Sequence, residues 1–470
     1  MHPSIAFLYV LSEWAIRFVM LVYVPQRRSP AAARTWLLLI FLLPWPGFLL
    51  YAIIGRIKLP AWRLARQREV TGMILAWQER HPLPAPASPH PGPIPALVRA
   101  LGDFRVLDGN TVELLPDYDA SIRRLVEAID GAQHSVHLLY YIFADDDRGG
   151  QVVQALLRAR ARGAECRVLV DAVGSRKFAL PALLARLRAS GIPAREVLPA
   201  GMFRRNAARF DLRNHRKVAV IDNRIAFTGS QNLVNPEFVP GYPNEELVVR
   251  VTGPVVIQLQ AVFLQDWFFE TGELPADPDA IEMPVPTGTS RAQVLPSGPG
   301  YERENAQELL VHLFHRAQRS IVLTTPYFVP DEPFLQALRT AVRRGVEVRL
   351  VVANPVDKWV MGLAQRSYFD GLLAAGVRIH LYRPHFLHAK HVTIDDDLAI
   401  VGSVNMDIRS FALNAEVALL VYDPAVVSEM RAVQERYFTD STELTADAWA
   451  QRPWWLRVAQ NTARLGDSLL

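Results

Sequence analysis

Two apolar runs open the chain, Ile5 to Val24 and Trp36 to Ile54. Each is close to the ~20 residues a helix needs to cross the ~30 Å hydrocarbon core of a bilayer. The first contains Glu13 and Arg17, four apart on one helical face, where they can neutralise each other or turn toward the second helix. The second carries no charge, and Pro44 and Pro46 predict a kink within it. The pattern predicts a two-helix transmembrane hairpin over 1–57. A cleaved signal peptide fits less well, because charges interrupt the first run and a second run follows at once. Arg27, Arg28 and Arg34 lie between the runs, against Arg56, Lys58, Arg63, Arg66 and Arg68 after them. That bias favours a multi-pass protein whose catalytic region is cytoplasmic.

A basic and proline-rich linker is expected over 58–98. Its stretch HPLPAPASPHPGPIP, at 81–95, has prolines spaced so that only extended geometry fits. Beyond it the pattern alternates between helix and strand, and it does so twice. AQHSVHLLYYIF at 132–143 matches AQRSIVLTTPYF at 317–328, each a short β-branched and aromatic strand after a helical run. ALLRARARGAECRVLVDA at 155–172 matches ALRTAVRRGVEVRLVVAN at 337–354. Each reads as an amphipathic helix, a stop at Gly163 or Gly345, and a buried strand. NHRKVAVIDNRIAFTGSQN at 214–232 matches LHAKHVTIDDDLAIVGSVN at 387–405. A Pro/Gly-rich stretch from Thr271 to Gly300 divides the copies, giving expected domains at 99–290 and 291–470. A repeat this long is too large for a solenoid unit and suits two α/β domains folded on one plan.

Composition narrows the chemistry. With 470 residues, half of them hydrophobic and 21% charged, the chain must fold. A lone cysteine, Cys166, excludes an intramolecular disulfide and any site built from paired thiolates. It lies in a buried strand and reads as packing. The net charge of +4 suits an anionic partner without choosing between lipid headgroups and nucleic acid. Lysine is scarce, at Lys58, Lys177, Lys217, Lys358 and Lys390, so a lysine inside a motif is informative.

The third block supplies that motif: His-x-Lys, four residues, Asp, six residues, Gly-Ser-x-Asn. One copy is His215, Lys217, Asp222, Gly229, Ser230 and Asn232; the other is His388, Lys390, Asp395, Gly402, Ser403 and Asn405. Six specified residues at fixed gaps arise by chance on the order of once in tens of millions of positions, and here they occur twice. The alternation V-A-V-I-D and H-V-T-I-D marks a strand, so His and Lys, two apart, are expected on one face of a sheet. Two such strands related by a pseudo-twofold axis would pool two imidazoles, two ammoniums, two hydroxyls and two carboxamides. That set fits a phosphodiester: lysines and amide donors hold the non-bridging oxygens, while one imidazole attacks phosphorus and the other protonates the leaving oxygen.

With these motifs, the chain resembles the phospholipase D superfamily. The N-terminal hairpin, GSVNMDIRSFALNAE at 402–416, TPYFVPD at 325–331 and NHRKVAVID make it similar to the bacterial cardiolipin synthases within it. The resemblance covers essentially the whole chain. It implies two pseudo-twofold-related α/β/α domains sharing one site in the bacterial inner membrane. It implies condensation of two phosphatidylglycerol molecules through a phosphatidyl-histidine, with no metal and no cofactor. Carried over residue by residue, one of His215 and His388 is the nucleophile and the other the acid/base. Lys217, Lys390, Asn232 and Asn405 bind phosphate, and Ser230 and Ser403 line the same pocket. A downstream carboxylate orients each histidine, at Glu416 in LNAE and Glu246 in NEEL, with Glu245 as the adjacent competitor. Asp222 and Asp395 complete the motif and support lysine and loop geometry. The partners implied are phosphatidylglycerol and anionic membrane lipids, with no nucleic acid.

The alternatives are a hydrolytic phospholipase D, with water as acceptor, and a nucleic-acid phosphodiesterase, in which arginines would bind backbone phosphates. A bilayer tether argues against the latter. Of the remaining histidines, His380, His385 and His391 read as peripheral. The run 201–217 interleaves Arg204, Arg205, Arg209, Arg213 and Arg216 with Phe203 and Phe210, as a solvated loop or a mouth for anionic headgroups. Trp454 and Trp455 are either core or interfacial anchors.

Overall fold

The computed structural model describes residues 3–28, 30–55, 59–81, 92–199, 211–274, 281–301 and 304–466. Most of the proline stretch, at 82–91, and the arginine run through position 210 lie outside the described residues.

The first apolar run is one helix, α1 (Pro3–Tyr23), long and apolar enough to cross a membrane. The second differs from the expected kinked span. It forms two helices, α2 (Pro30–Leu42) and α3 (Pro44–Ile54), separated at Leu43. These two fold back on each other: the rings of Trp36 and Tyr51 lie 5.1 Å apart. Proline at the first position of α3, lacking an N–H, ends one helix and starts the next. A fourth helix, α4 (Ala61–Arg80), packs on the catalytic body, where Arg63 is held by both oxygens of Glu270 at 2.7 and 2.8 Å.

The body is built on a sheet of fifteen strands among the described residues. In chain order these are β1 (Leu107–Leu115), β2 (Ser135–Tyr140), β3 (Glu165–Asp171), β4 (Ala194–Val197), β5 (Lys217–Ile221), β6 (Ile225–Gly229), β7 (Val248–Thr252) and β8 (Ser290–Ser297). They continue as β9 (Ser320–Thr325), β10 (Glu347–Ala353), β11 (Arg378–Tyr382), β12 (His391–Ile394), β13 (Leu398–Gly402), β14 (Glu416–Val421) and β15 (Ser441–Leu444). Their spatial order is β15-β11-β10-β9-β12-β13-β14-β8-β1-β7-β6-β5-β2-β3-β4. Outward from the β8–β1 junction, both halves repeat one sequence of roles, with β15 capping one edge. Ser135 to Tyr140 run parallel to Glu165 to Val170, just as Ser320 to Thr325 run parallel to Glu347 to Val352. The duplicated pattern is thus a duplicated topology.

Local chemistry accounts for the repeated helices. Glu332–Arg343 starts where the Asp331 carboxylate accepts from the Phe334 N–H, and it buries Phe334, Leu335, Ala337, Leu338 and Ala341 on one stripe. Its counterpart Gly149–Ala161 buries Val152, Val153, Leu156 and Ala159. Each is followed by a glycine at positive φ, Gly163 at 99° and Gly345 at 87°, which releases the chain into the next strand. One apolar core runs through the junction, joining Val249 and Val251 of β7 to Val294 of β8 and Leu419 of β14. The halves are therefore packed as one body. Trp454 and Trp455 are not core: they begin the helix Trp454–Arg464 with 76% and 58% exposure.

Candidate active site

The histidines do not stand within the strands. β5 begins at Lys217 and β12 at His391, so His215 and His388 occupy the segments just before them. The V-A-V-I-D alternation describes the strands that follow, and the histidine segments pair instead with the opposite half. The His215 N–H donates to the Ala415 carbonyl, and the His388 N–H donates to the Glu245 carbonyl. Phe386–Leu387 runs parallel to Asn244–Glu245. Both crossing segments lie beside the junction, where the two halves close one site.

The pairing carries each histidine to a carboxylate of the other half. His215 Nδ1 lies 3.1 Å from Glu416 Oε2, and His388 Nδ1 lies 2.7 Å from Glu246 Oε1. Glu245 instead faces His385, at 3.0 Å. This separates the two adjacent glutamates that the sequence left competing. An Asn-x-Glu spacing, Asn244 with Glu246 and Asn414 with Glu416, marks the same distinction in both copies. Each Asn side-chain amide approaches its Glu at 3.4 Å.

The Gly-Ser of each motif positions these glutamates. A Cβ on Gly229 would fall 2.3 Å from the Leu247 carbonyl oxygen, and one on Gly402 would fall 2.2 Å from that of Val417. Only glycine lets the neighbouring strand come so close. Ser230 Oγ then accepts from the Leu247 N–H, and Ser403 Oγ from the Val417 N–H, both at 3.0 Å. The serines fasten the residue after each glutamate.

The lysines are fully buried and turn back on their own histidines. Lys217 Nζ donates to the His215 carbonyl at 2.6 Å, and Lys390 Nζ to that of His388 at 2.5 Å. Asn232 accepts from the Ile142 N–H at 3.1 Å, which leaves its buried amide nitrogen without a protein partner. Asn405 likewise has a buried side-chain oxygen with no partner.

Asp222 and Asp395 sit at the far ends of β5 and β12 and do not join this cluster. Asp222 accepts from the N–H groups of Gln133, His134 and Ser135. Asp395 accepts from those of Gln318, Arg319 and Ser320. A carboxylate saturated by three backbone donors ties the β2 or β9 strand to the turn and has little capacity left for substrate. The resemblance counted them in the catalytic motif as supports of lysine and loop geometry; the structure shows the loop contacts, made to backbone N–H groups and not to the lysines.

Burial drives the electrostatics. It pushes His215 down to about 4, against the opposing charge of Glu416, with Lys217 and Lys390 adding to the depression. It pushes His388 down as well, with Glu246 opposing and both lysines assisting. Lys217 is lowered to about 7 and Lys390 to about 8, chiefly by desolvation. Burial alone would raise both glutamates, but His388 and Lys390 hold Glu246 low, and His215 and Lys217 hold Glu416 low. Each motif's lysine therefore acts on the other motif's histidine, and the groups titrate as one set.

Sequence reasoning passed over several supports. Tyr141 stacks edge-on against His215 at 4.7 Å, and Phe238 does so against His388 at 5.4 Å. Arg216 forms a buried pair with Asp266 at 2.7 Å and donates to the Glu416 carbonyl at 2.9 Å. Arg213 pairs with Asp171 at 3.3 Å. The arginines at 213 and 216 thus brace His215 rather than face solvent. His380 and His391 pack against Phe438 and Tyr437, away from the cluster.

Known proteins are similar to this chain in sequence and in fold. Residues 125–267 and 310–438 match a family model described as cardiolipin synthase, PLD-like domain. Residues 10–56 match one described as phospholipase D-nuclease N-terminal. The chain is 34% identical to cardiolipin synthase A of Proteus mirabilis (strain HI4320), over 99% of this chain and 97% of that one. It has the same identity to cardiolipin synthase A of Pectobacterium carotovorum subsp. carotovorum (strain PC1), over 98% and 97%. Among solved structures it is similar to phosphatidylserine synthase of Haemophilus influenzae Rd KW20, with a TM-score of 0.62. That match covers 80% of this chain and all of the other at 15% identity, a likeness of fold.

Proposed function

Because this chain belongs to the cardiolipin synthase family of phospholipase D-like phosphatidyltransferases, we propose that it condenses two phosphatidylglycerol molecules into cardiolipin and glycerol. The observation that carries this reading is the crossed pairing of His215 with Glu416 and His388 with Glu246. A histidine whose Nδ1–H faces a carboxylate keeps its proton there and presents the lone pair of Nε2.

One histidine attacks phosphorus through Nε2. As the P–N bond forms, the bond from phosphorus to the glycerol oxygen breaks, and the second histidine donates its Nε2 proton to that oxygen. Glycerol leaves. The second histidine, now neutral, takes the proton from a glycerol hydroxyl of another phosphatidylglycerol, whose oxygen attacks phosphorus and breaks the P–N bond. Lys217, Lys390, Asn232 and Asn405 hold the non-bridging oxygens. The negative charge of the bound phosphodiester raises the acid histidine from its depressed state, so it gains its proton when substrate arrives. Glu246 and Glu416 position the histidines, and Ser230 and Ser403 position the glutamates. The two steps together exchange one alkoxide on phosphorus for a similar one, and the lysines supply the positive charge, so no metal or cofactor is required by this course.

Phosphatidylglycerol and other anionic membrane lipids are the proposed partners rather than nucleic acid. A long apolar helix before the catalytic body supports a bilayer substrate. Basic residues flanking the apolar segments support a catalytic region on the cytoplasmic face of a bacterial inner membrane.

The test is product analysis by mass spectrometry after incubating the full chain, purified in detergent, with phosphatidylglycerol as the sole lipid. Cardiolipin and glycerol in equal amounts are expected. Phosphatidic acid alone would make water the acceptor and overturn the synthase reading, and absence of turnover would overturn the substrate assignment.

A further inference from the structure

Length first sets α2 and α3 apart from α1. At 1.5 Å per residue, α1 rises about 32 Å, α2 about 20 Å and α3 about 17 Å, so only α1 matches a ~30 Å hydrocarbon core. Direction is the second distinction. Leu43 leaves helical geometry at φ −134° and ψ 78°, and the chain reverses. Gly47 then packs so closely on Ile40 that a Cβ there would lie 2.9 Å from the Ile40 Cα. Trp36 and Tyr51 would be about 22 Å apart along one straight helix, but their rings lie 5.1 Å apart.

Contacts with α1 fix the depth of the reversal. The Tyr51 ring meets Tyr23, at the C-terminal end of α1, at 6.2 Å. Trp45, at the turn, donates its indole N–H to Ser12 Oγ at 3.2 Å, halfway along α1. Both arms therefore open at the level of Tyr23, and their tip reaches only mid-helix.

This geometry also accounts for the charges inside α1. The last carbonyls of α2 have no partner within their helix, a serious cost in hydrocarbon. Arg17 Nε donates to one of them, that of Phe41, at 3.3 Å, while Glu13 balances Arg17 at 3.5 Å. The outer surface is apolar, with Leu38, Phe41, Leu42, Leu49 and Ile53 exposed.

Charge distribution points the same way. Two complete spans would put Arg27, Arg28 and Arg34 on the opposite face from Arg63, Arg66 and Arg68. A reversal puts all six on one face. Arg28 also lies close enough to Glu304 of the catalytic body to oppose the rise that burial imposes on it.

We propose that the chain crosses the bilayer once, through α1, and that α2 and α3 form a re-entrant apolar wedge in the leaflet facing the catalytic body. The N-terminus then lies on the opposite side of the membrane from the active site. The number of crossings is thus one, where the length of the two apolar runs suggested two.

Cysteine labelling of the full chain in sealed vesicles of both orientations tests this. Cys166 is 1% exposed and stays silent to a membrane-impermeant maleimide. Four single variants are used: Ser4→Cys before the wedge, Gln26→Cys in the loop after α1, Leu43→Cys at the tip, and Ser190→Cys as the marker of the catalytic body. Gln26→Cys and Ser190→Cys should label in the same vesicles, Ser4→Cys in the opposite ones, and Leu43→Cys in neither until detergent is added. Labelling of Ser4→Cys together with Ser190→Cys, or of Gln26→Cys from the other face, would overturn the proposal. An N-terminal tag on the otherwise unaltered chain repeats the test without touching the wedge. Protease should remove it only from the side opposite the catalytic body, and removal from the same side would be equally decisive against it.

Discussion

His215 Nδ1 lies 3.1 Å from Glu416 Oε2, across 201 residues of chain and the junction between the two halves. The reciprocal contact, His388 to Glu246 at 2.7 Å, makes each half-site incomplete without the other. Glu416→Gln keeps the shape but replaces the carboxylate that fixes the proton on Nδ1. It should lower kcat by about a hundredfold to ten-thousandfold with KM little changed. Glu416→Asp should recover part of the loss, and the pH profile should shift. A purely structural role would leave that profile unmoved.

The histidines work as one unit, so their losses should not add. His215→Ala and His388→Ala should each reduce transfer by about a thousandfold or more, and the double variant should be little worse than either. Thermal melts should show all three folded. Retention of a tenth of the activity by either single variant would contradict a shared site.

Lysine charge sets the alkaline limit. A lysine with a lowered pKa loses its proton as pH rises through the lowered value, about 7 for Lys217 and about 8 for Lys390. The charged forms bind phosphate, so kcat/KM, which reports the free enzyme, should fall as pH rises through this interval. Lys217→Met should bind more weakly and lose the lower of the two limbs. A wild-type profile flat to pH 9.5 would contradict the assignment.

Asp222 is expected to behave differently from the rest of its motif. Its carboxylate accepts three backbone N–H groups, two of them exposed and that of Ser135 half-buried, and Asp222→Ala would exchange these charge-assisted bonds for water at a cost of about 1–3 kcal/mol. The expected result is a lower Tm with kcat largely retained below the transition. A large loss of kcat at unchanged Tm would return Asp222 to the chemistry.

Much of this was readable in the chain because it is local. A helix, a glycine stop and a parallel strand are all set by neighbours within about thirty residues, and Gly163 and Gly345 fall where the pattern put them. What was hidden depends on association. Alternation placed His215 on a strand, but the segment ahead of Lys217 is claimed by Ala415 of the other half. The sequence put Glu246 ahead of its neighbour Glu245 only by resemblance; the contacts distinguish them, His385 taking Glu245 and His388 taking Glu246. Arg213 and Arg216 look like surface charge until Asp171 and Asp266 are brought beneath them. In the second apolar run, hydropathy gives length but not direction. Pro44 permits a kink or a reversal, and Gly47 against Ile40 decides for reversal.

The most direct test of the account is the stoichiometry and position of the covalent intermediate. The full chain is mixed with phosphatidylglycerol, quenched under alkaline conditions that spare a phosphoramidate, and its peptides are analysed by mass spectrometry. The account predicts one phosphatidyl group per chain at most, carried on His215 or on His388. Label on neither histidine during active turnover, or on both within one chain, would contradict a single site built from two halves.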